Sequence, residues 1–370
     1  MTWFELENVA EIPSPSLILF ADRVRENLTR MCRIAGSPER LRPHVKTHKI
    51  PQVVEMMLDL GITRFKCATL AEAQMLARVK APDVLLAYQP VGPNVVRLKE
   101  LVETYASTRF SCLLDDEEAA LALSNAFTAA GRVLPVWLDV DVGMGRTGVA
   151  DPDEAQALYA LLTELPGLFV RGLHAYDGHV TAIDLAARTA DADAAFAKFE
   201  ALGDELKRQG FPVEERIFGG SPTFAIHAQR AGLELSPGTT VLWDQGYSSN
   251  FPDLEFLTAA VVLTRVVSKP AENRLCLDLG YKAVAAEGPP PRVHFLGFGE
   301  VGFISHSEEH LVIETSRAPE LGVGSVLYGV PWHICPTVAL YDKAVVVHGK
   351  RAMEAWPIAA RGRGLEGEKF

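Results

Sequence analysis

The sequence has no excess of positive charge. Its 370 residues include 36 lysines and arginines against 47 aspartates and glutamates, which gives a formal net charge of −11 at pH 7. A nucleic acid or an acidic membrane would therefore have to bind a local basic patch. The densest basic cluster, residues 44–49 (HVKTHK), is too short to follow a phosphate backbone. We expect neither a nucleic acid nor a membrane among the partners.

Cysteines are few and long apolar runs are missing. The five cysteines are odd in number and widely scattered, which is not typical of a secreted disulfide framework. No apolar run approaches the ~18 residues needed to span a bilayer. The N-terminal stretch MTWFELE also lacks the basic and apolar segments of a secretory signal. We therefore expect a cytoplasmic protein.

Two domains with different sequence patterns are predicted. From residue 15 to 242, short apolar or β-branched runs alternate with stretches rich in alanine, leucine and glutamate, as in repeated βα units. The count favours an α/β domain with a closed (β/α)8 TIM-type barrel, and an open doubly wound sheet is the alternative. Residues 243–370, together with 1–14, show short alternating strands and predict a C-terminal β-rich domain. The candidate barrel strands are 17–20, 42–47, 64–68, 84–88, 110–115, 135–142, 170–176 and 216–220.

Lys46 is the first candidate for chemistry, because it lies within an apolar candidate strand. Burial lowers the pKa of a lysine and favours the nucleophilic amine that a Schiff base requires. The alternative is a lysine whose stem is buried while its charge reaches solvent. A barrel hydrolase that uses Asp139 and Asp141 as paired carboxylates is a competing hypothesis that needs no cofactor.

The segment 219–223 (GGSPT) follows the last candidate barrel strand. Glycine allows backbone N–H groups to approach a phosphate closely, and the hydroxyls can donate to it. Barrels of this kind often bind phosphate after their last strands. A glycine pair before Ser-Pro is also common in ordinary turns, so the motif alone is a weak signal.

His333 and Cys335 are two residues apart in the second predicted domain. In an extended segment their side chains would emerge on one face and could chelate one ion. A thiolate with an imidazole favours zinc over the harder manganese or magnesium ions. A lone His-x-Cys pair is nevertheless found more often without a metal.

Several segments together resemble one known family. Residues 41–49 (LRPHVKTHK) resemble the cofactor-lysine strand of the D-threonine aldolase and D-serine dehydratase family, which is related to the alanine racemase barrel of fold type III pyridoxal-phosphate enzymes. The likeness covers nearly the whole chain. It continues through 139–148 (DVDVGMGRTG), 173–178 (LHAYDG), 219–223, 277–282 (LDLGYK), 331–342 and 356–362.

The resemblance implies a role for each candidate residue. Lys46 would form the covalent link to pyridoxal 5'-phosphate, with Arg146 beside the pyridine nitrogen and Tyr176 against the cofactor. His333 and Cys335 would bind a divalent metal, either zinc, manganese or magnesium. The catalytic base would be His179, with Asp177 as its neighbour in the same loop. The phosphate would be held by Gly220, Ser221, Thr223, Gly238 and Thr239.

The resemblance also implies a reaction. We expect a lyase dependent on pyridoxal phosphate and a divalent metal that cleaves small D-β-hydroxy amino acids to glycine and an aldehyde. Cys335 stands where the aldolase branch has aspartate and the dehydratase branch has cysteine, so a zinc-dependent D-serine or 3-hydroxy-D-aspartate dehydratase is the alternative. A non-catalytic carrier of pyridoxal phosphate is a further alternative. Members of the family pair, which predicts a homodimer.

Overall fold

A computed structural model describes residues 2–365 and residue 367 of the chain. The α-helices are α1 (Ala21–Ala35), α2 (Pro51–Asp59), α3 (Leu70–Arg78), α4 (Pro93–Thr104), α5 (Glu117–Ala129), α6 (Pro152–Glu164), α7 (Leu185–Arg208), α8 (Phe224–Ala228), α9 (Gln245–Asn250) and α10 (Ile334–Val338). The strands are β1 (Ser16–Phe20), β2 (Arg64–Cys67), β3 (Asp83–Leu86), β4 (Arg109–Leu114), β5 (Leu134–Val140), β6 (Leu168–Ala175), β7 (Glu215–Phe218), β8 (Glu234–Leu235), β9 (Ala260–Ala271), β10 (Arg274–Leu277), β11 (Val293–Phe295), β12 (Gly302–His306), β13 (Leu311–Glu314), β14 (Val326–Pro331), β15 (Lys343–His348) and β16 (Arg351–Pro357).

The chain divides into two compact units. The barrel unit contains residues 31–46, 54–238 and the described residues after 361, and the β-rich unit contains residues 2–30, 47–53 and 239–361. The domain boundaries expected from the sequence, 15–242 and 243–370 with 1–14, stay a prediction.

The barrel unit is built on a parallel sheet in the order β2-β3-β4-β5-β6-β7-β8. Residues 41–44 occupy the eighth position, because Leu41 forms a parallel bridge to Leu235 in β8 and His44 forms one to Lys66 in β2. The Lys66 N–H donates to the Pro43 carbonyl at 2.9 Å. Most residues of these strands are buried, as expected when helices cover a parallel sheet. The barrel prediction is therefore confirmed.

Two of the predicted barrel strands were wrong. The segment 17–20 belongs to β1, which pairs with β9 and β15 in the other sheet. A four-residue apolar run suits any buried sheet, so its partners cannot be read from its own composition. The segment 42–47 is extended only at its start, and Val45–Thr47 forms a 3-10 turn. The two-residue strand β8 was missed because Ser-Pro-Gly follows it directly.

The β-rich unit contains a nine-stranded sheet. Its main path is β12-β13-β10-β9-β1-β15-β16, while β14 pairs with β9 and β11. The β1–β15 pair is parallel, and β9 pairs antiparallel with β1, β10 and β14. One face packs on an apolar cluster that includes Phe4, Phe20 and Val261. No helix in the described part of the chain is long and apolar enough to cross a membrane.

Candidate active site

Lys46 lies directly after the segment that closes the barrel. The residues before it run parallel to β2 and β8, so Lys46 follows the carboxyl end of its segment, where such barrels carry their chemistry. Its side chain is half-buried, and its backbone N–H donates to His44 Nδ1 at 3.4 Å. The turn, rather than a strand, presents the amine.

Arg146 is presented by a glycine-rich loop that Asp141 organises. The Asp141 carboxylate accepts backbone N–H donors from Gly143 at 2.8 Å, Met144 at 2.7 Å and Gly145 at 2.9 Å. Although desolvation raises it, these hydrogen bonds hold the pKa of Asp141 below its ordinary value. The loop returns to β5 through a bridge between Val140 and Val149. Asp141 therefore orders the backbone that carries Arg146.

Tyr176 packs between two glycines and beneath Arg146. A Cβ at Gly220 would lie 2.6 Å from Tyr176 Cε2, and one at Gly178 would lie 2.1 Å from Cε1. The Arg146 guanidinium carbon is 5.2 Å from the centroid of the Tyr176 ring, within the range of a cation–π contact. The loops after β5, β6 and β7 thus bring Arg146, Tyr176 and Gly220 together, and their role in binding a cofactor stays a prediction.

Ser221 and Thr223 form part of a hydrogen-bonded turn. Ser221 Oγ accepts the Gly238 N–H at 3.0 Å, which joins the two segments expected to hold phosphate. The Thr223 hydroxyl donates to Asp177 Oδ1 at 2.9 Å, and His227 Nε2 lies 2.7 Å from Asp177 Oδ2. Both oxygens of this buried carboxylate are engaged in hydrogen bonds, so Asp177 anchors the turn.

Ser236 gives an independent indication of a phosphate site. It follows β8 directly, and its buried hydroxyl has no hydrogen-bond partner among the described residues. A buried hydroxyl without a partner is costly, unless a ligand supplies one. Together with the glycine turn at Gly219 and Gly220, where Gly219 has φ +88°, this arrangement fits a phosphate group.

His179 is exposed and lies against the loop that carries Arg146. A Cβ at Gly143 would be 2.7 Å from His179 Nε2, so the imidazole packs directly on the glycine backbone. The histidine is therefore near Asp141, with which it interacts electrostatically. Its catalytic role stays a prediction.

His333 and Cys335 come together in the β-rich unit, although not in an extended segment. His333 occupies the position before the first residue of α10, and Cys335 lies in the first turn of that helix. His333 Nδ1 is 2.6 Å from Glu287 Oε1, and the Ile334 N–H donates to Asp244 Oδ2 at 2.9 Å. Thr47 Oγ1 and Thr239 Oγ1 lie 3.3 and 3.7 Å from Cys335 Sγ.

The groups around His333 create a negative electrostatic potential. Burial lowers its pKa, but the hydrogen bond to Cys335 and the charges of Cys335, Asp244 and Glu287 raise it to about 9. The same potential favours a metal cation, and a carboxylate on one imidazole nitrogen is typical of metal-binding histidines. No group of three or more histidine, cysteine, aspartate or glutamate residues suited to a metal occurs within the described residues. The pair fits a metal only if other ligands complete its coordination.

The sequence reasoning missed a buried trio inside the barrel. Lys66 Nζ in β2 is 2.8 Å from His174 Nε2 in β6, and His174 Nδ1 is 2.6 Å from Asp139 Oδ1 in β5. Lys66 is a lysine in an apolar strand, which is the signal that had pointed to Lys46. Because Asp139 faces His174 while Asp141 caps a loop, the two aspartates do not form the carboxylate pair of a hydrolase.

An eight-position parallel barrel followed by a β-rich sheet defines an enzyme fold of the alanine racemase type. The family described as "Alanine racemase, N-terminal domain" matches residues 21–244, and a "Putative serine dehydratase domain" matches residues 259–347. The D-threonine aldolase of Arthrobacter sp. is 33% identical over 96% of this chain and 94% of its own. The 3-hydroxy-D-aspartate aldolase of Paracoccus denitrificans is 29% identical over the same shares.

Solved structures give the same result. The D-threonine aldolase of Filomicrobium marinum superposes with a TM-score of 0.89 at 28% identity, covering 96% of this chain and 97% of that one. The D-threo-3-hydroxyaspartate dehydratase of Delftia sp. superposes with a TM-score of 0.82 at 22% identity, covering 98% of this chain and 100% of that one. Variants of this dehydratase replace a histidine and, two residues further along, a cysteine by alanine, and the cysteine variant is described as metal-free.

The chain therefore belongs to the alanine racemase-like family that contains the D-threonine aldolases and the 3-hydroxyaspartate aldolases and dehydratases. This is a family of fold type III pyridoxal-phosphate enzymes. The full-length relatives are aldolases and dehydratases, so the protein is a lyase.

Proposed function

We propose that this lyase cleaves D-β-hydroxy amino acids to glycine and an aldehyde, with pyridoxal 5'-phosphate and a divalent metal. The observation that carries the proposal is the meeting of Arg146, Tyr176 and Gly220 at one end of the barrel, in a chain that matches a D-threonine aldolase over 96% of its length. The same full-length match favours a lyase over a carrier of the cofactor.

The cofactor-binding residues would divide the work as follows. Lys46 supplies the amine that binds the cofactor aldehyde, while Ser221, Ser236 and the backbone of Gly220 hold the phosphate. Gly238 and Thr239 belong to the adjoining strip and complete it. When bound, pyridoxal phosphate supplies a ring that stabilises negative charge on the substrate.

Arg146 and His179 would control protons. A guanidinium cannot accept a proton, so Arg146 beside the pyridine nitrogen keeps that nitrogen from being protonated. His179, exposed on the neighbouring loop, would accept the proton of the substrate hydroxyl. Thr223 acts through the turn, because its hydroxyl donates to Asp177.

His333 and Cys335 would hold the metal. The Glu287 carboxylate on the ring of His333 and the metal-free cysteine variant of the dehydratase support this assignment. When bound, the metal polarises the β-hydroxyl of the substrate. The soft thiolate favours zinc, while manganese or magnesium would prefer oxygen ligands.

Cys335 also supports a second candidate, the dehydration of D-serine or 3-hydroxy-D-aspartate. The dehydratase relative carries a cysteine two residues after a histidine, which is the spacing of His333 and Cys335. Dehydration requires removal of the Cα proton, whereas aldol cleavage requires removal of the hydroxyl proton.

Product analysis separates the two reactions. The purified protein, supplied with pyridoxal phosphate and Zn²⁺ or Mn²⁺, is incubated separately with D-threonine, D-serine and 3-hydroxy-D-aspartate, with L-threonine and the Lys46→Ala variant as controls. We expect glycine and acetaldehyde from D-threonine. Pyruvate from D-serine without glycine from D-threonine would show that the protein is a dehydratase, and no product from any substrate would contradict both candidates.

We further propose a cytoplasmic homodimer. None of the five cysteines, each within the described residues, forms a disulfide bond, which suits a reducing compartment. The homodimer is supported by the family resemblance, and light scattering that finds a monomer at working concentrations would contradict it.

A further inference from the structure

Lys66 is a buried lysine that the proposed function does not use. It is 3% exposed and projects from β2 toward His174, which is also 3% exposed. Asp139, at 5% exposure, completes the trio from β5. Three different strands of the barrel therefore direct ionisable side chains into its interior.

The carboxylate of Asp139 determines which atoms donate in the hydrogen bonds of the trio. An ionised Asp139 only accepts, so His174 Nδ1 carries the hydrogen that it donates at 2.6 Å. In a neutral imidazole the other nitrogen is then an acceptor, and Lys66 Nζ donates to it at 2.8 Å. Burial, followed by the charge of Lys66, lowers the pKa of His174 to about 4, so the ring is neutral at physiological pH.

The charge of the trio changes near neutral pH. Burial is the main cause that lowers the pKa of Lys66, to about 7. With Lys66 protonated, its charge balances that of Asp139 and the trio is neutral. With Lys66 deprotonated, the trio carries one negative charge. A buried ion pair that serves only the fold can be replaced by apolar residues at little cost. A buried lysine whose charge changes near neutral pH therefore points to an electrostatic role.

The groups that face Lys66 identify what it acts on. Its charge is influenced, after burial, by Asp139, Lys46, Arg42 and Asp177, and it contacts His174 directly. Arg42 is neutralised by the carboxylates of its own buried ion pairs, and Asp177 is bonded to His227. Lys66 forms a parallel bridge to His44, two residues before Lys46, and the charge of Lys46 lowers the pKa of Lys66. An electrostatic coupling of this kind acts equally in both directions.

We propose that Lys66, held by His174 and Asp139, is an electrostatic positioning residue that disfavours protonation of Lys46 and thereby maintains its amine as a nucleophile for the cofactor aldehyde. The inference rests on the proposed role of Lys46. It concerns a residue that acts on Lys46 through its charge.

Two substitutions with opposite charge effects test the proposal. Lys66→Met removes the positive charge and leaves Asp139 negative, so the pKa of Lys46 should rise by about one unit. Asp139→Asn removes the negative charge, so the pKa of Lys46 should fall by a similar amount. The double variant should return close to the wild-type value. Lys207→Met, an exposed lysine on α7, is the control and should change nothing.

The pKa of Lys46 can be measured without relying on catalysis. The full-length protein is treated with hydroxylamine to release any bound aldehyde, labelled with a trace of acetic anhydride at several pH values, and mapped by peptide mass spectrometry. The pH midpoint of the cofactor absorbance of the loaded protein gives a second reading, which should shift in the same directions.

Shifts in the same direction for both variants, or no shift in either, would overturn the proposal, since a purely structural role predicts one of these results. If Lys66→Met fails to fold, as judged by circular dichroism, the fall expected for Asp139→Asn still decides the question. If Lys46 proves not to bind the cofactor, the absorbance reading is lost while the labelling still reports the coupling. The two failures are therefore distinguishable.

Discussion

At the residue scale, three aspartates fix the loops of the candidate site by accepting hydrogen bonds, and they are not placed to react. Asp141 caps the loop that carries Arg146, Asp177 anchors the turn after β7, and Asp244 holds the backbone beside His333. Asp244 is almost fully buried, and desolvation raises its pKa to about 6 despite these hydrogen bonds. A buried carboxylate with backbone donors fixes a loop in one conformation, which a site for a rigid cofactor requires.

The first prediction concerns Asp141. Asp141→Ala leaves three backbone N–H groups of the loop without their acceptor, so the position of Arg146 becomes less defined. We expect about a tenfold weaker affinity for pyridoxal phosphate, which corresponds to about 1.4 kcal/mol. Absorbance titration with the cofactor measures it.

The matched control is Asp151→Ala, which removes an exposed N-cap from α6. It should lower the free energy of unfolding by about 1 kcal/mol and leave the cofactor affinity unchanged. Equal losses of affinity in both variants would show that the loop around Arg146 has no special role.

At the element scale, the barrel is completed by a short segment that is not a regular strand. Residues 41–44 bridge β8 and β2, and the chain then enters the turn that contains Lys46. The other side of the candidate site is also a turn, between β7 and α8. Regular strands thus form the wall, while irregular segments supply the reactive groups.

The second prediction tests the anchor of that turn. Asp177 joins the end of β6 to Thr223 and to His227 in α8, and both of its partners are fully buried. Asp177→Asn leaves at least one buried donor without an acceptor, which should destabilise the fold by about 1–3 kcal/mol. The turn after β7 should also bind phosphate less tightly.

Comparison of two ligands isolates the phosphate. Affinity for pyridoxal phosphate should fall in Asp177→Asn, while affinity for pyridoxal, which lacks the phosphate, should stay the same. Asp204→Asn, on the exposed face of α7, serves as the control. Equal losses for the two ligands would contradict the assignment of this turn to phosphate.

At the scale of the whole molecule, a buried ionic network holds the barrel together. Arg42 in the closing segment is fully buried and bonds Asp83 Oδ1 and Glu234 Oε2, each at 2.6 Å. The same carboxylates also bind the more exposed Arg109 and Arg64. One side chain therefore links the closing segment to β3 and β8.

The third prediction is that Arg42→Met lowers the free energy of unfolding by about 3 kcal/mol at pH 7, because buried carboxylates lose their main partner. Arg64→Met removes an exposed partner of the same Glu234 and should cost less than about 1 kcal/mol. Urea unfolding measures both. Similar losses in the two variants would contradict the importance of the buried arginine.

The stability that Arg42 contributes should depend on pH in a definite direction. Desolvation raises the pKa of Asp83, but Arg42 and Arg109 outweigh it and hold that pKa below the ordinary value. The stabilisation is thus complete above about pH 4 and is lost as the pH falls through the lowered pKa. The difference between wild type and Arg42→Met should shrink below about pH 4, because a protonated Asp83 needs no partner.

Local sequence determined the repeated βα units, the β-rich second half and the candidate Lys46, while Arg146 and Tyr176 were candidates through the resemblance to a known family. Periodicity and glycine placement act over a few residues, and these features need no distant partner to be recognised. The resemblance to a known family added the reaction class, which the chemistry of isolated residues had left open between a lyase and a hydrolase.

Only the tertiary structure decided which distant segments meet. The run 17–20 joined the sheet of β9 and β15, whose strands lie more than 240 positions further along, because strand pairing depends on partners rather than on composition. The trio of Lys66, His174 and Asp139 comes from three strands, and Lys66 and His174 are 108 residues apart in the sequence. Its pKa shifts arise from burial, a property that a residue acquires only when the chain has folded.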